Sequence, residues 1–428
     1  MRVVSLLFAL LAGQALAQTQ DNCEAVKKDF LILPSGQIIH RSRLSFVYRP
    51  LSERTLAHLS VLQQALEQQG SKLVVLPIPY LEHILNPDLV PHNNPTAYLK
   101  SYQQVIQQFQ KTRILTIDLL PPAVELRKQQ PFMFETLYDV HWSQAGLDLA
   151  AQVTAQTIQQ QFPALSREIQ QDGAKITVTG TFKNFGKSER SLQKACKDFP
   201  LKGDVFNTYT LGGDSSDLLS DQEPAVVLLG TSYSARPPGL GFDHSLSMAL
   251  NAPLENHALN GSGAMGSLFE FFALHRPPSM VIWELPLYQI NRQEADINSL
   301  GPDNLNQVLA YVVRQDAQPL WSMRGQSQGK RLHVDFDAQI PERPWTVFTL
   351  KLLNVEDKAF ILNITYTDAS TQKMEFDRWH GTNFKDYAFV VPAGKKIKSV
   401  DVDIDSDKNV DFEVSLVSST LNLPALPN

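Results

Sequence analysis

The chain has 428 residues, of which 43% are hydrophobic and 19% charged, and its formal net charge is -6. A chain of this length and composition buries a full hydrophobic core, which excludes small disulfide scaffolds, disordered chains and coiled coils. No extended segment rich in lysine and arginine occurs, whereas a protein that binds a phosphate backbone is expected to carry one. The composition therefore predicts a globular protein of two or three domains that does not bind nucleic acid.

Residues 1–17 have the pattern of a signal peptide. Arg2 supplies a positive start, residues 3–12 form a largely apolar run, and Ala15-Leu16-Ala17 matches a small-x-small cleavage site. The run is too short to cross a bilayer, and no later stretch reaches about 18 apolar residues. Cys23 follows Asp21-Asn22 rather than the residues of a lipobox. We expect an exported, periplasmic protein without a lipid anchor or a membrane-spanning helix.

The chain has two cysteines, Cys23 and Cys196. In an oxidising compartment an even pair predicts one disulfide, here joining the N-terminus to the middle of the chain. The alternative is a reactive or metal-binding thiol pair, but the C-x-x-C spacing of such sites is absent. We expect a structural disulfide, with no metal and no cofactor.

Residues 18–327 alternate helical and strand-like segments, which predicts an α/β domain. Ser52 is placed to cap a helix in which leucines recur at helical spacing, and Gly70 is placed to end it. Residues 225–230 and 280–287 are apolar without alternation, which is typical of parallel strands buried on both faces. The remaining predicted elements of this part are strands at 72–79 and 113–120 and a helix at 95–110.

Residues 328–428 have a different sequence pattern. Short alternating strands are separated by turn-forming residues, a pattern that predicts an antiparallel β-sandwich. The predicted strands are 331–336, 346–352, 360–366, 387–391, 399–404 and 412–417.

Two short segments carry residues suited to chemistry. In Tyr138-Asp139-Val140-His141-Trp142, Asp139 and His141 share one face of an extended chain, so the carboxylate can hold one imidazole nitrogen. The second segment, Gly230-Thr231-Ser232-Tyr233-Ser234, directly follows a buried strand. A serine at the carboxyl end of a parallel strand lies on the sheet edge where open α/β folds bind ligands.

These segments predict a nucleophile, a base and an orienting acid. Ser232 would attack a carbonyl, His141 would take its proton, and Asp139 would fix the imidazole tautomer. We expect the backbone N–H groups of Ser232 and Gly263 to stabilise the oxyanion, since glycines let a backbone approach a ligand.

Other interpretations are open for each segment. A Gly-Thr-Ser after a strand is commonplace, and an Asp-x-His is often a surface hydrogen bond. Gly213-Asp214-Ser215 spells the Gly-Asp-Ser of many serine esterases, but no buried strand precedes it and acidic residues crowd it, which favours a solvated loop.

The segments 139–142 and 230–234, together with Val281-Ile282-Trp283-Glu284-Leu285-Pro286, resemble the alginate O-acetyltransferase family of the SGNH-hydrolase-like superfamily. The resemblance covers roughly residues 40–300 and is greatest to secreted members with a C-terminal carbohydrate-binding module. It implies an SGNH-hydrolase-like α/β domain followed by a β-sandwich, and the same roles for Ser232, His141 and Asp139. One departure is Leu287-Tyr288-Gln289, where related sequences tend to have an Arg-Tyr pair.

A uronic-acid polymer would require cations and aromatic faces near the site. Tyr233, Arg236 and Tyr288 are candidates in the α/β domain, and Arg378 and Trp379 in the β-module. The alternative for Arg236 is a solvent-exposed charge on a loop. The alternative for Trp379 is a residue of the hydrophobic core, although Trp345 fits that role better. The alternating Asp401, Asp403, Asp405 and Asp407 predict a polar strand face rather than a calcium loop.

The leading hypothesis is an exported O-acetyltransferase that acetylates an anionic, alginate-like polysaccharide through an acetyl-serine. The resemblance implies that a membrane acyltransferase system supplies the acetyl group and that other polymer-secretion proteins are partners. Two alternatives use the same sequence: an acetylesterase with the same triad, and a non-catalytic polymer-binding component of a secretion complex.

Overall fold

We describe the protein from a computed structural model, which covers residues 23–426 except 131–133, 137–140, 172, 197, 212–224, 236–240, 292–298, 328, 337–342, 344, 354–358, 378–385 and 405–408. The expected signal peptide lies outside these described residues. Among the helices that are described, none combines the length and apolar character that a membrane span requires.

The helices and strands follow the expected division into an α/β part and a β part. The α-helices of the described residues are α1 (Glu53–Gln68), α2 (Glu82–Leu85), α3 (Pro95–Lys111), α4 (Leu120–Gln129), α5 (Gln144–Gln161), α6 (Pro163–Ile169), α7 (Lys187–Ala195), α8 (Phe242–Leu250), α9 (Gly266–Leu274) and α10 (Pro302–Val313), with a further helical segment at 23–28. Short 3-10 helices cover Arg41–Arg43, Pro87–His92, Leu287–Asn291 and Arg314–Asp316. The strands before residue 300 are β1 (Phe30–Ile32), β2 (Ile38–His40), β3 (Lys72–Ile78), β4 (Leu115–Thr116), β5 (Ile176–Asn184), β6 (Asp204–Leu211), β7 (Val226–Leu229), β8 (Glu255–Asn256) and β9 (Met280–Pro286). The later strands are β10 (Gln318–Gln326), β11 (Arg331–Asp335), β12 (Thr346–Leu352), β13 (Ala359–Tyr366), β14 (Thr371–Asp377), β15 (Asp386–Val390), β16 (Ile397–Ile404) and β17 (Asp411–Ser418).

A five-stranded parallel sheet forms the centre of the α/β part. Its strand order is β4-β3-β9-β7-β8, and every neighbouring pair is parallel. All residues of β7 and β9 are buried, because helices cover both faces of the sheet. The predicted α/β class is confirmed, and β7 and β9 bring their carboxyl ends to one edge.

The first helix begins and ends at the residues that the sequence predicts. The Ser52 side chain accepts a hydrogen bond from the Thr55 N–H at 3.2 Å, and Gly70 follows the helix end. The strand expected at 113–120 is shorter and covers only Leu115–Thr116, because α4 begins at Leu120, whose N–H donates to the Asp118 Oδ1 at 3.0 Å. Sequence patterning therefore located these elements, but not all of their ends.

The predicted antiparallel sandwich is present. One sheet has the order β10-β17-β12-β15 and the other β11-β16-β13-β14, with a hydrophobic core between them. β10 precedes the expected boundary at residue 328 yet pairs with β17 in the sandwich. Asp401 and Asp403 lie on β16 and pair with His333 at 2.7 Å and Arg331 at 3.5 Å, as a polar strand face should. Asp405 and Asp407 lie outside the described residues.

The sandwich packs on α10. The Asn306 side chain accepts the Val390 N–H at 2.7 Å and donates to the Val390 carbonyl at 3.2 Å, which covers edge strand β15. The Tyr311 hydroxyl donates to the Asp386 carbonyl at 2.6 Å, and Arg314 pairs with the Asp386 carboxylate at 2.9 Å. Trp345 is buried here, as expected of a core residue, and donates its indole N–H to the Leu423 carbonyl at 3.0 Å.

The predicted disulfide is confirmed. Cys23 and Cys196 are bonded across 173 residues of sequence. The bridge joins the N-terminal segment to the end of α7, beside a small cluster formed by Phe30, Ile38 and Leu192.

Candidate active site

Ser232 lies in a tight turn directly after β7, at the carboxyl edge of the parallel sheet. The backbone N–H groups of Ser234 and Ala235 both donate to the Thr231 carbonyl, at 3.0 and 2.8 Å. The turn therefore places the Ser232 side chain at the rim, where it is partly exposed.

His141 reaches Ser232 from a different part of the chain. Its Nε2 lies 2.9 Å from the Ser232 Oγ, although 91 residues separate the two in sequence. The histidine segment is fastened by a bridge between Glu135 and Trp142, in which the Thr136 N–H donates to the His141 carbonyl at 2.9 Å. The structure thus places the predicted base and nucleophile within hydrogen-bonding distance. Asp139 lies outside the described residues.

Helix α5 starts immediately after this segment. The Ser143 side chain accepts the Gly146 N–H at 3.0 Å, which is the N-cap expected from the sequence. The histidine is therefore held between a β-bridge and a capped helix, two features that limit the backbone movement of the base.

Tyr233 does not line a cleft as expected. Only 1% of the residue is exposed, since its ring packs 4.8 Å from the His141 ring and edge-on to Trp142 at 5.5 Å. No ring face is left for a sugar in this arrangement, so the expected substrate contact is corrected to a packing contact that supports the imidazole.

The turn of Ser232 contacts a buried acid, Glu284 of β9, whose role the sequence motifs did not indicate. Its Oε2 accepts the Thr231 N–H at 2.7 Å and its Oε1 accepts the Thr231 hydroxyl at 3.1 Å. A Cβ at Gly230 would lie 2.4 Å from Oε2, so this close approach requires glycine. Burial raises the pKa of Glu284 to about 7, although the hydrogen bonds from Thr231 oppose the shift. An acid inside an otherwise apolar strand, Val281 to Leu285, was the available signal.

The loop after β8 lies beside the nucleophile turn. The Leu259 N–H donates to the Gly230 carbonyl at 3.0 Å, and the Asn256 side chain donates to the Ser234 carbonyl at 3.0 Å. Among the described residues, the backbone N–H groups of Ser232 and Gly263 have no hydrogen-bond partner. The role predicted for both groups in binding an oxyanion stays a prediction.

A buried ion pair lies behind the histidine segment. Arg43 and Glu135 approach to 2.5 Å, and the guanidinium lies 3.8 Å from the centre of the Tyr80 ring. Burial raises the pKa of Glu135, and the guanidinium opposes that shift. Tyr80 stacks in turn on the partly exposed Tyr288, at 5.8 Å with the planes 5° apart. Tyr288 thereby remains a candidate aromatic surface for a sugar.

We predict that this ion pair stabilises the fold through mutual neutralisation. Arg43→Met or Glu135→Leu alone should lower the free energy of unfolding by about 3–5 kcal/mol, because each leaves one buried charge without its partner. The double variant should lose far less than the sum of the two. Urea unfolding of the four proteins measures this coupling, and additive losses would contradict it.

Several predicted site residues lie outside the described residues: Arg236, Arg378, Trp379 and the Gly213-Asp214-Ser215 segment. Their roles stay predictions. Within the part of the chain that the structure describes, no three His, Cys, Asp or Glu side chains gather in an arrangement suited to a metal ion.

Comparison with protein families places this site in a known context. The family model described as SGNH hydrolase-like domain, acetyltransferase AlgX, matches residues 43–287, more than half of the chain and the whole region that contains His141, Ser232 and Glu284.

Individual relatives agree with the family match. The chain is 32% identical over 250 residues to a probable alginate O-acetylase AlgJ of Pseudomonas syringae pv. tomato, a match that covers 54% of this chain and 61% of that protein. It is 30% identical over 208 residues to the alginate biosynthesis protein AlgX of the same organism, covering 46% and 41%. The chain thus spans less than two thirds of either relative.

The solved structure of Pseudomonas aeruginosa AlgX is similar with a TM-score of 0.73. The superposition covers 91% of this chain and 95% of that one, at 17% sequence identity. At that identity the similarity concerns the fold, and it includes both the α/β part and the β-sandwich.

Proposed function

We propose that this chain, which belongs to the SGNH hydrolase-like acetyltransferase AlgX family, transfers acetyl groups to hydroxyls of an anionic, alginate-like polysaccharide. The observation that carries the proposal is the 2.9 Å contact between the His141 Nε2 and the Ser232 Oγ at the carboxyl edge of the sheet. A serine hydroxyl is a weak nucleophile unless a base lies within hydrogen-bonding distance.

In the first half of the reaction the Ser232 Oγ attacks the carbonyl carbon of an acetyl ester, and its proton passes to the His141 Nε2. The resulting oxyanion accepts hydrogen bonds from the N–H groups of Ser232 and Gly263. The bond from carbon to the donor oxygen then breaks, and the imidazolium returns the proton to that leaving oxygen. The product is an acetyl ester on Ser232.

In the second half a sugar hydroxyl gives its proton to the His141 Nε2 and attacks the acetyl-serine. The bond to the Ser232 Oγ breaks, and the serine recovers its proton from the imidazolium. We assign to Asp139 the holding of the imidazole tautomer throughout, as its spacing from His141 suggests.

The α/β part supplies the chemistry in this proposal, and the β-sandwich holds the polymer. Two relatives bear the names alginate O-acetylase and alginate biosynthesis protein, which supports an alginate-like acceptor and a setting of polymer secretion. We further propose that the protein acts outside the cytoplasm and receives its acetyl groups from a membrane acyltransferase system, because acetyl-CoA is not available there.

Mass spectrometry of a defined oligomannuronate tests the proposal. The oligomer is incubated with the protein and a chromogenic acetyl ester, and a neutral manno-oligosaccharide serves as the matched acceptor. We expect the oligomannuronate to become acetylated. The chromophore should be released faster when the oligomannuronate is present than when the neutral oligosaccharide replaces it. Chromophore release with no acetylated oligomer would identify an acetylesterase instead. Absence of any turnover would favour a non-catalytic polymer-binding protein.

A further inference from the structure

Helix α7 presents four polar side chains on one exposed face. Lys187, Arg190, Ser191 and Lys194 are spaced i, i+3, i+4 and i+7, which places them on the same side of a helix. With Asn184 and Phe185 they line a cavity of about 380 Å³. The face is thus a concave surface with three positive charges.

The three cations have no acidic partner in the part of the chain that the structure describes. Among the described residues, the side chains of Lys187, Arg190 and Lys194 form neither an ion pair nor a hydrogen bond. The one acid of α7, Glu189, is buried on the other side of the helix, where its carboxylate accepts the N–H groups of Lys202 and Gly203. The charges therefore face solvent, in a protein whose formal net charge is -6.

Folding gains little from this arrangement. Lys187 is the first residue of α7, where the helix dipole disfavours a positive charge, and Arg190 and Lys194 are like charges at i, i+4. Only Lys194, in the last turn, is placed where the dipole favours a cation. Two other lysines of the described residues do pair with acids at i, i+3: Lys27 with Glu24 and Lys128 with Glu125, each at 3.1 Å. An unpaired cationic surface in an acidic protein points to an anionic ligand.

An aromatic ring completes the surface. Phe185 is partly exposed and packs closely on Gly203, where a Cβ would lie 2.9 Å from the ring. Aromatic faces stack on sugar rings, while arginine and lysine pair with carboxylates. The rise from Lys187 to Lys194 is about 10 Å along the helix axis, enough to pair with carboxylates on successive sugar units.

We propose that the exposed face of α7 is a binding site for the carboxylates of a uronic-acid polysaccharide, separate from the Ser232 site. The proposal rests on the proposed function for its ligand class. The disulfide at Cys196 joins the end of α7 to the N-terminal segment, so this surface is held in place on the fold. Polymer held here would be kept on the protein between successive transfers.

The test compares two triple variants by calorimetric titration. Lys187→Ala/Arg190→Ala/Lys194→Ala removes the proposed site, and Lys100→Ala/Lys111→Ala/Arg167→Ala removes the same charge from exposed positions on α3 and α6. Alanine is the best helix former, so both variants should fold, which thermal unfolding checks. The probes are a long oligomannuronate and a neutral manno-oligosaccharide of equal length, each at low and high salt.

We expect the α7 variant to bind the oligomannuronate roughly tenfold more weakly at low salt, with the difference largely lost at high salt. Binding of the neutral oligosaccharide, and turnover of a small chromogenic ester, should not change. Unchanged affinity for the oligomannuronate, equal weakening in the control triple, or no binding by the wild type would each overturn the proposal. Absence of binding by the wild type would also count against oligomannuronate as the acceptor in the proposed function. The other two outcomes leave that function untouched, and the substitution of Ser232 tests it separately.

Discussion

Replacement of Ser232 by alanine should lower the rate of acetyl transfer by at least about a thousandfold. The substitution removes the oxygen that forms the covalent ester, and the remaining oxyanion contacts and substrate binding cannot replace it. His141→Gln should cause a loss of similar size, since the Oγ then has no base 2.9 Å away. Combining the two substitutions should add little, because the two residues act as one unit.

Ser215→Ala is the matched control. Ser215 belongs to the Gly-Asp-Ser segment that resembles an esterase motif. The strand before that segment, β6, has one buried residue, Phe206, among those described. That variant should keep the wild-type rate with both oligomannuronate and a chromogenic ester. If it lost activity while Ser232→Ala retained it, with both proteins folded by circular dichroism, the assignment of the nucleophile would be wrong.

The second large effect is expected at Glu284. Glu284→Ala leaves the N–H and hydroxyl of Thr231 without their acceptor and opens a cavity under the nucleophile turn, which should cost about 3–5 kcal/mol of folding free energy. The turn then relaxes, and we expect kcat to fall by about a hundredfold. Glu284→Gln keeps an acceptor for the Thr231 N–H and should recover most of both losses. Equal defects in the two variants would argue against this positioning role.

The same residue predicts a pH dependence with a definite sign. The pKa of Glu284 rises from 4.5 to about 7 on folding, so the folded protein binds this proton more tightly than the unfolded chain does. The contribution of the Glu284 carboxyl to the free energy of unfolding is largest below pH 4.5 and is lost as the pH rises through about 7. Relative to the wild type, Glu284→Gln should therefore gain roughly 2–3 kcal/mol between pH 5 and pH 8. Chemical unfolding of both proteins at several pH values measures this difference, and a constant offset would contradict it.

The sequence identified those parts of the fold in which burial and pattern coincide. β7 and β9 are apolar throughout because both faces are covered, so composition alone indicated them. β14 was missed although its Met374 and Phe376 alternate into the sandwich core. β5 was missed for the opposite reason, because it has no buried residue and no local periodicity records its pairing with β6.

The candidate site shows the same limit. Ser232 and His141 were predicted because each lies in a short motif whose local backbone geometry can be inferred from the sequence. Glu284 and the Arg43–Glu135 pair were not found, because their partners are 53 and 92 residues away along the chain. A buried charge is a signal that something must compensate it, but only the three-dimensional structure identifies the compensating group.

The single bond between Cys23 and Cys196 also simplifies how the polypeptide matures. The first thiol leaves the ribosome long before the second, and the chain offers it no other cysteine with which to pair. A mismatched intramolecular crosslink cannot form, so maturation requires an oxidant but no isomerase to shuffle bonds. Production in a host with an oxidising secretory route and little reshuffling capacity should therefore yield the correctly crosslinked protein.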